Sequence, residues 1–253
     1  MQIRMGVDPE LFVKQTYGGF ISAHTLLPGT KKRPHLVEGG AIQVDGVAAE
    51  FNTFPVDNPD DFVEVINLVR GQMSEIVIEN AKQQGFGDVT LVAEPTAWFD
   101  PDYFDDLPSL ARVLGCEPDY NAYTGDYNTP PETSEPFRTG SGHLHISWSD
   151  KLVDPLDPEH FMRCRDIVRQ LDTILFPKSE IWDSDRKRRS LYGAMGSFRP
   201  KAYGVEYRPL SNAYLRSDDL IRQVFTTADY AVRLLLEQND RAWEGDQEER
   251  MYG

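Results

Sequence analysis

The chain has 253 residues, and its 26 Lys and Arg stand against 41 Asp and Glu, which gives a formal net charge of −15. This excess of anions repels polyanions, so it disfavours general nucleic-acid binding and attachment to an anionic membrane surface. A hydrophobic fraction of 40% with 11% aromatic residues is typical of a globular protein and not of a disordered chain.

The first part of the chain predicts short strands followed by one long helix. Strands are predicted at Met1–Val13, Phe20–Ala23, Ala41–Val44 and Val47–Thr53. Asp45-Gly46 predicts a tight hairpin between the last two, because both positions tolerate a positive φ. Asn58-Pro59 is typical of a helix start, and we expect that helix to end at Gly85.

The second part predicts further strands and two helices around a long irregular segment. Strands are predicted at Asp88–Glu94, Gly140–Trp148 and Tyr203–Arg208, and helices at 158 to about 175 and 218 to about 237. Pro95–Arg138 has at most short helical turns around Leu107–Leu114, and such long segments often cover a substrate. We therefore expect an α+β fold, a curved antiparallel sheet with long helices packed on one face, as a single domain over residues 1–253.

Four predicted strands each place two functional side chains on one face, because residues two apart on a strand point the same way. The pairs are Asp8 and Glu10, Glu50 and Asn52, His143 and His145, and Glu206 and Arg208. A single such pair is as easily the solvated face of an antiparallel sheet. These positions, however, hold metal-ligand residue types and one arginine, and carboxylates that face one another repel unless cations neutralise them. Oxygen ligands with one or two imidazoles favour Mg²⁺ or Mn²⁺ over zinc.

A basic segment precedes the last of these strands. The segment contains Arg186, Lys187, Arg188, Arg189, Arg199 and Lys201, the densest positive charge in the chain. This segment is either a solvated basic turn or a phosphate-binding segment. The second interpretation fits a site with several metal ions and an arginine, which is the arrangement that phosphoryl transfer requires. The sequence has neither a P-loop nor a Gly-x-Gly-x-x-Gly motif, so the metals and basic side chains would have to hold any nucleotide.

Together these motifs resemble the phage-associated carboxylate–amine ligases (amidoligases) of the glutamine-synthetase-like and glutamate–cysteine ligase superfamily. Four segments are similar to the strands of glutamine synthetases that bind metal and phosphate: GVDPELFV, AAEFNT, GSGHLHISWS (with one residue deleted) and VEYRP. The stretch RRSLYGAMGSFRPKAYGVEYRPLSN is typical of the phage-type family. The resemblance implies a glutamine-synthetase-like catalytic domain in which residues 100–138 form a loop that covers the substrate.

The resemblance also implies roles for individual residues. The implied metal ligands are Asp8, Glu10, Glu50, His143 and Glu206. The implied catalytic residues are Arg208, Arg189 and Glu50. The residues expected at the ATP phosphates are Arg189, Arg199, Lys201, Arg208 and His145. A further carboxylate ligand is either Asp45 or Glu38, and the deletion leaves the choice between His143 and His145 as the metal ligand open.

The activity that follows from the resemblance is ATP-dependent ligation of a carboxylate to an amine through an acyl phosphate, with two or more Mg²⁺ or Mn²⁺ ions. The substrates would be a small-molecule or peptide carboxylate and an amine, with no general nucleic-acid or membrane partner and the oligomeric state open. Three alternatives remain: a metal-dependent hydrolase, a phosphotransferase, and a non-catalytic binding module on the same fold. A metal-dependent hydrolase would not explain Arg208 or the basic segment, since neither is needed to activate a water molecule on a metal.

The cysteines and the hydrophobic pattern bear on the cellular compartment. Two cysteines, Cys116 and Cys164, are too few for a disulfide scaffold, and Cys116 is read as structural rather than nucleophilic because no histidine lies near it in sequence. No apolar run approaches about 18 residues, and MQIRMGVDPE lacks the core of a signal peptide. We expect a soluble cytoplasmic protein, in the host cytoplasm if it is phage-encoded.

Overall fold

The computed structural model describes residues 2–112, 119–129 and 135–252, with side chains described as far as residue 237. The strands are β1 (Arg4–Val7), β2 (Glu10–Gln15), β3 (Phe20–Ile21), β4 (His35–Val37), β5 (Gly40–Asp45), β6 (Ala48–Thr53), β7 (Val89–Val92), β8 (Thr96–Trp98), β9 (Tyr120–Asn121), β10 (Phe137–Thr139), β11 (Leu144–Ser147), β12 (Ser197–Lys201) and β13 (Gly204–Tyr207). The helices are α1 (Pro59–Gln83), α2 (Pro101–Asp105), α3 (Ser109–Arg112), α4 (Pro158–Ile174), α5 (Phe176–Trp182), α6 (Arg186–Leu191) and α7 (Asp218–Tyr252). Short 3-10 turns lie at Ala23–Thr25 and Asn212–Arg216.

Two antiparallel sheets form the centre of the molecule. One has the order β1-β11-β13-β12-β9, and the other has the order β3-β2-β6-β5-β4 with β7 paired to β2. The chain itself joins them, since only Asp8 and Pro9 separate β1 from β2. Backbone hydrogen bonds continue across the junction, from Glu10 N to Ser141 O (3.0 Å) and from Phe51 N to Pro9 O (3.2 Å). The result is a curled antiparallel sheet, open like half a barrel.

Long helices cover the apolar side of this sheet. Asn58 caps α1 by accepting a hydrogen bond from Asp61 N (2.9 Å), and Pro59 occupies the first helical position. The buried side chains of α1 are Phe62, Val63, Ile66, Val69, Met73, Val77 and Ala81. This stripe recurs every three or four residues and packs into one core with α4, α7 and the sheet. Among the described residues, no helix is both long and apolar enough to cross a membrane.

The mixed architecture, the hairpin at Asp45-Gly46 and the helix starts at Pro59, Pro158 and Asp218 confirm the sequence predictions. Three boundaries were wrong. The strand predicted at Gly140–Trp148 covers only Leu144–Ser147, because Gly140 and Gly142 pack against the backbone near Ser211. Met1–Val13 is not one strand, because the chain leaves one sheet at Val7 and enters the other at Glu10. Helix α7 extends beyond Glu237 to Tyr252, and the added residues are rich in Glu, Gln and Arg and contain no proline.

The Pro95–Arg138 segment contains more regular structure than its composition indicates. Strands β8 and β10 pair as a two-stranded ribbon. Helix α2 packs beside it, with the rings of Phe99 and Phe104 5.7 Å apart in a small second core. These apolar side chains explain why part of the segment is ordered against the sheet. Cys116 and the rest of 113–118 and 130–134 lie outside the described residues.

Candidate active site

A cavity of about 330 Å³ lies where the two sheets meet. The charged and polar side chains of its wall include Asp8, Glu10, Lys31, Asp45, Glu50, Asp119, Arg138, Ser141, His143, Arg188, Arg199 and Arg208. Four of the five metal ligands implied by the sequence are therefore in this wall, and the fifth, Glu206, contacts it from strand β13. The carboxylates and the histidine that could bind metal form two separate groups of three residues.

The first group is Asp8, His143 and Glu206, whose ligand atoms all lie within 4.8 Å of one another. Asp8 follows β1, His143 precedes β11 and Glu206 is in β13. These three strands are neighbours, so the side chains converge. His143 Nδ1 is 3.2 Å from Asp8 Oδ1 and 3.5 Å from Glu206 Oε1. The set of two carboxylates and one imidazole matches the donors that Mg²⁺ and Mn²⁺ accept.

The second group is Glu10, Asp45 and Glu50, again with ligand atoms within 4.8 Å of one another. Glu10 stands directly opposite Glu50 in the β2–β6 ladder, and Asp45 ends the neighbouring strand β5. Like charges in opposed positions destabilise a sheet. Lys31 Nζ binds Asp45 Oδ2 at 2.6 Å, and Ser141 N donates to Glu10 Oε2 at 3.0 Å, which offsets only part of this repulsion.

The protonation of the second group shows how much negative charge is concentrated there. Burial raises the pKa of Glu10 to about 7, and the charge of Asp45 adds to the effect. Burial and the charges of Asp8, Asp45 and Glu10 hold the pKa of Glu50 well above its usual range. Glu50 is 7% exposed, and its Oε2 accepts no hydrogen bond from the described residues. A buried carboxylate oxygen without a donor fits a cation site, so the residues present suit a divalent metal.

The first group is already partly neutralised by protein side chains. Burial and the charge of Arg208 lower the pKa of His143 to about 4, so its imidazole is neutral at pH 7 and keeps a lone pair for a metal. Burial and Asp8 would raise the pKa of Glu206, but Arg208, His143 and His145 hold it at about 2. Burial would likewise raise the pKa of Asp8, and His145 and His143 lower it well below its usual range.

Three cationic side chains surround Glu206, which is fully buried. Arg208 Nη1 donates to Glu206 Oε1, Arg199 Nη1 lies 3.4 Å from the same oxygen, and Lys201 Nζ lies 2.7 Å from Oε2. Arg208 also reaches Asp119, with its Nε 2.9 Å from Asp119 Oδ2. The predicted phosphate-binding residues Arg199, Lys201 and Arg208 are thus brought together beside the first group.

His145 points to a second cavity, of about 420 Å³, on the other side of Asp8. Its Nε2 is 3.1 Å from Asp8 Oδ1, and its Nδ1 is hydrogen-bonded to the hydroxyl of Tyr203. Burial would lower the pKa of His145, but Asp8 and Glu206 raise it above its usual value. The wall of this cavity also includes Asn52, the residue that shares a strand face with Glu50. His143 therefore lines the first cavity, and His145 lines the second.

Other predicted residues lie elsewhere. Arg189 is not among the residues lining either cavity, because it binds Glu180 (2.9 Å) and the carbonyl of Asp183 (2.7 Å). Its neighbour Arg188 lines the first cavity instead, with a guanidinium that donates to three backbone carbonyls. Glu38 is exposed and bonded through its backbone to the Gln72 side chain, so of the two candidates for a further ligand the geometry favours Asp45.

Sequence reasoning did not single out several cavity residues. Lys31, Asp119, Arg138, Arg188 and Tyr203 come from loops, edges and the basic segment, where no strand periodicity distinguishes a site residue from a surface one. The one available signal for Asp119 was its place in the long Pro95–Arg138 segment. Lys31 would be detected only from its pairing with Asp45, which requires the fold.

The chain matches no curated protein. Residues 134–252, which supply His143, Arg199, Glu206 and Arg208, match the family model described as phage phiEco32-like COOH.NH2 ligase-type 2. That family name refers to joining a carboxylate and an amine. Over residues 134–252 the chain therefore matches a phage-type carboxylate–amine ligase, as its motifs indicated.

Proposed function

We propose that this protein is an ATP-dependent carboxylate–amine ligase, with one glutamine-synthetase-like catalytic domain spanning the chain. The observation that carries the proposal is the pair of three-ligand groups, bordered by Arg199, Lys201 and Arg208. His143, Glu206 and the three basic residues lie within the ligase match, and the other four ligands come from the part of the chain that precedes it. Two adjacent cation sites beside arginines suit a reaction in which negative charge develops on a transferred phosphoryl group.

Each group would hold one divalent cation. Asp8, His143 and Glu206 would bind one, and Glu10, Asp45 and Glu50 the other. Such ions supply positive charge that offsets the charge of the nucleotide phosphates. Without them, the carboxylates of the second group repel one another at neutral pH, which fits the raised pKa values of Glu10 and Glu50.

The reaction has two steps, and the chain offers residues for both. In the first step a carboxylate oxygen attacks the γ-phosphorus of ATP, the bond to ADP breaks and an acyl phosphate forms. Arg208 and Arg199 would bind the oxygens of the transferred group. In the second step the amine nitrogen attacks the acyl carbon and phosphate leaves. A carboxylate of the cavity wall would accept the proton that the amine loses, and Glu50, as a ligand of the second cation, would hold that cation beside the reacting groups.

The second cavity is the proposed location of the adenosine part of ATP. It has Leu152 and Pro55 in its wall together with His145, Ser147 and Tyr203, which is a mixture of apolar surface and hydrogen-bonding groups. His145 contacts Asp8 at 3.1 Å, so a nucleotide bound there would direct its phosphates toward the first metal group. The carboxylate and amine substrates would then enter through the first cavity.

The test is release of phosphate from ATP in the presence of Mg²⁺ or Mn²⁺ and a panel of carboxylates and amines, with product masses measured. We expect phosphate release that requires both substrate classes and a product lighter by one water than their sum. Glu50→Gln should abolish it, whereas Glu38→Gln, an exposed carboxylate on the same sheet, should retain it. Metal-dependent hydrolysis of amides without ATP would contradict the ligase proposal and support the hydrolase alternative.

A further inference from the structure

Arg138 is a buried arginine in the wall of the first cavity, and the proposed reaction gives it no task. It lies in β10 and is 7% exposed. Its guanidinium stacks on the ring of Phe104, with Cζ 4.6 Å from the ring centroid. Its terminal nitrogens donate to backbone carbonyls, those of Phe137 (2.6 Å), Glu135 (3.5 Å) and Arg112. The side chain is therefore held in a fixed position.

The charge of Arg138 is not matched by a carboxylate within the part of the chain that the structure describes. The other basic residues of this wall have such partners: Lys31 binds Asp45, Arg199 binds Glu206, and Arg208 binds Asp119 and Glu206. Arg188 resembles Arg138 in donating to carbonyls, but every one of its guanidinium nitrogens has a partner. In Arg138 the buried Nε has none among the described residues.

Ser141 supplies a second unsatisfied group three residues farther along. It is 8% exposed, lines the same cavity, and its buried Oγ has no hydrogen-bond partner in the described residues. Its backbone N–H binds Glu10, which places it beside the second metal group. Leaving both a guanidinium N–H and a hydroxyl buried and unpaired costs free energy, which a water, an ion or a ligand bound between them would offset.

We propose that Arg138 and Ser141 bind a second, non-reacting carboxylate of a substrate of this ligase. An N–H donor and an O–H donor in one wall match the two oxygens of a carboxylate, and the fixed guanidinium supplies the opposite charge. The site lies beside Glu10, away from the cavity assigned to adenosine, so it belongs to the substrate and not to the nucleotide. The proposal rests on the proposed function, and it narrows the substrates to molecules with one carboxylate more than ligation consumes.

The extra carboxylate has two sources, a dicarboxylate donor and an amino-acid acceptor. Two matched pairs of probes separate these sources. Glutarate and butyrate differ by one carboxylate on the donor side, and β-alanine and propylamine differ by one on the acceptor side. Binding of each probe is measured by calorimetry with Mg²⁺ present, for the full-length protein and its variants, without any requirement for turnover.

The informative variants are Arg138→Gln and Ser141→Ala, with Arg222→Gln on exposed α7 as the control. We expect glutarate or β-alanine to bind more tightly than its matched partner, and each of the two variants to weaken that binding at least tenfold. Ser141→Ala should keep or raise the wild-type melting temperature, because the hydroxyl it removes has no hydrogen-bond partner among the described residues. It therefore tests the site even if Arg138→Gln, which loses three carbonyl contacts, folds poorly.

Binding of Mg-ATP to the same variants distinguishes this inference from the ligase proposal. If Mg-ATP binds and the preference for the probe with the extra carboxylate disappears with Arg138 and Ser141, both proposals are supported. If the wild type shows no such preference, or if it survives both substitutions, the carboxylate site is wrong while ATP binding still supports the ligase. If Mg-ATP fails to bind but the probe preference remains, the ligase proposal fails and the anion site stands.

Discussion

Arg208 contacts carboxylates on two sides, Glu206 and Asp119, and only 5% of its side chain is exposed. Such an arginine can act as a structural ion-pair partner, as a phosphate ligand, or as both. A buried ion pair that loses one member leaves an uncompensated charge, so removing the guanidinium would harm folding whatever its catalytic role. A substitution that keeps the charge separates the two roles.

Arg208→Lys keeps the positive charge and loses the planar, two-pronged donor that matches phosphoryl oxygens. We expect kcat to fall by roughly a hundredfold or more while KM for ATP changes little, because the lost contact is strongest in the transition state. Rates per folded molecule, measured well below the melting temperature, check this. Arg216→Lys, at the surface pair with Glu94, is the control and should keep kcat. Unchanged kcat with a lowered melting temperature would make Arg208 purely structural.

The raised pKa of Glu10 predicts a pH-dependent effect of Glu10→Gln on metal-free protein. Its folded pKa of about 7 exceeds the ordinary glutamate pKa of 4.5, so folding takes up a proton between these values and the carboxylate destabilises the fold increasingly as pH rises. Glu10→Gln removes this penalty. In chelator, its gain in melting temperature should grow from about pH 4.5 to about 7 and stay constant above.

Thermal melts of both proteins from pH 4 to 8 provide the measurement. The difference between them cancels the titration of groups distant from Glu10, and it includes the fall in the pKa of Glu50 when the charge of Glu10 is removed. With excess Mg²⁺ at pH 8 the order should reverse, because the wild-type carboxylate then binds a cation. A gain that is the same at pH 4 and pH 8 would show that Glu10 does not titrate in this range.

At the scale of elements, the Gly140-Ser141-Gly142 turn positions the start of β11 by close backbone contact. A Cβ atom on Gly142 would lie 2.3 Å from the backbone oxygen of Ser211, and one on Gly140 would lie 2.3 Å from the Asn212 side chain. Only glycine allows this approach, and His143 follows immediately. The turn thereby sets where the histidine of the first metal group enters the cavity.

Gly142→Ala should therefore push β11 away from the 211–212 segment. We expect a loss of stability of ~1–3 kcal/mol, the usual cost of forcing atoms into a packed region, and a higher Mg²⁺ concentration for half-maximal stabilisation. Gly71→Ala, at an exposed position of α1, is the matched control, because its Cβ would meet nothing within 4 Å. Since alanine favours helix over glycine, this variant should gain up to ~1 kcal/mol of stability. Melting curves at several Mg²⁺ concentrations measure both quantities. Equal behaviour of the two variants would contradict the positioning role.

Strand periodicity identified Arg208 and the implied metal ligands at the cavity, but it did not show how the ligands group. Asp8 and Glu10 are two residues apart and seemed to share one strand face, yet they belong to different sheets and to different groups of three. That division depends on the pairing of β1 with β11 and of β2 with β6, which is long-range information. In the basic segment the sequence favoured Arg189, but successive residues of a helix point about 100° apart, and it is Arg188 that lines the cavity.

For the whole molecule, the formal charge of −15 and the two proposed metal-binding groups lead us to expect that stability depends on divalent cations. A ligand present at a hundred times its dissociation constant stabilises a fold by ~2.7 kcal/mol. For a chain of this size that corresponds to a rise in melting temperature of ~5–10 °C. We expect such a rise with Mg²⁺ or Mn²⁺, and a much smaller one in Glu50→Gln. The same rise in NaCl of equal ionic strength would indicate general charge screening and not specific sites.

The two-residue crossing at Asp8 and Pro9 has a geometric consequence for the whole site. Consecutive Cα atoms are 3.80 Å apart, so Asp8 and Glu10 can never be separated by more than about 7 Å between their Cα atoms, however the two sheets move. Covalent bonds, and not packing, therefore set an upper limit on the separation of the two metal groups. If the sheets flex when a substrate enters or a product leaves, both groups must move as a pair, and a single small molecule can remain in reach of both throughout.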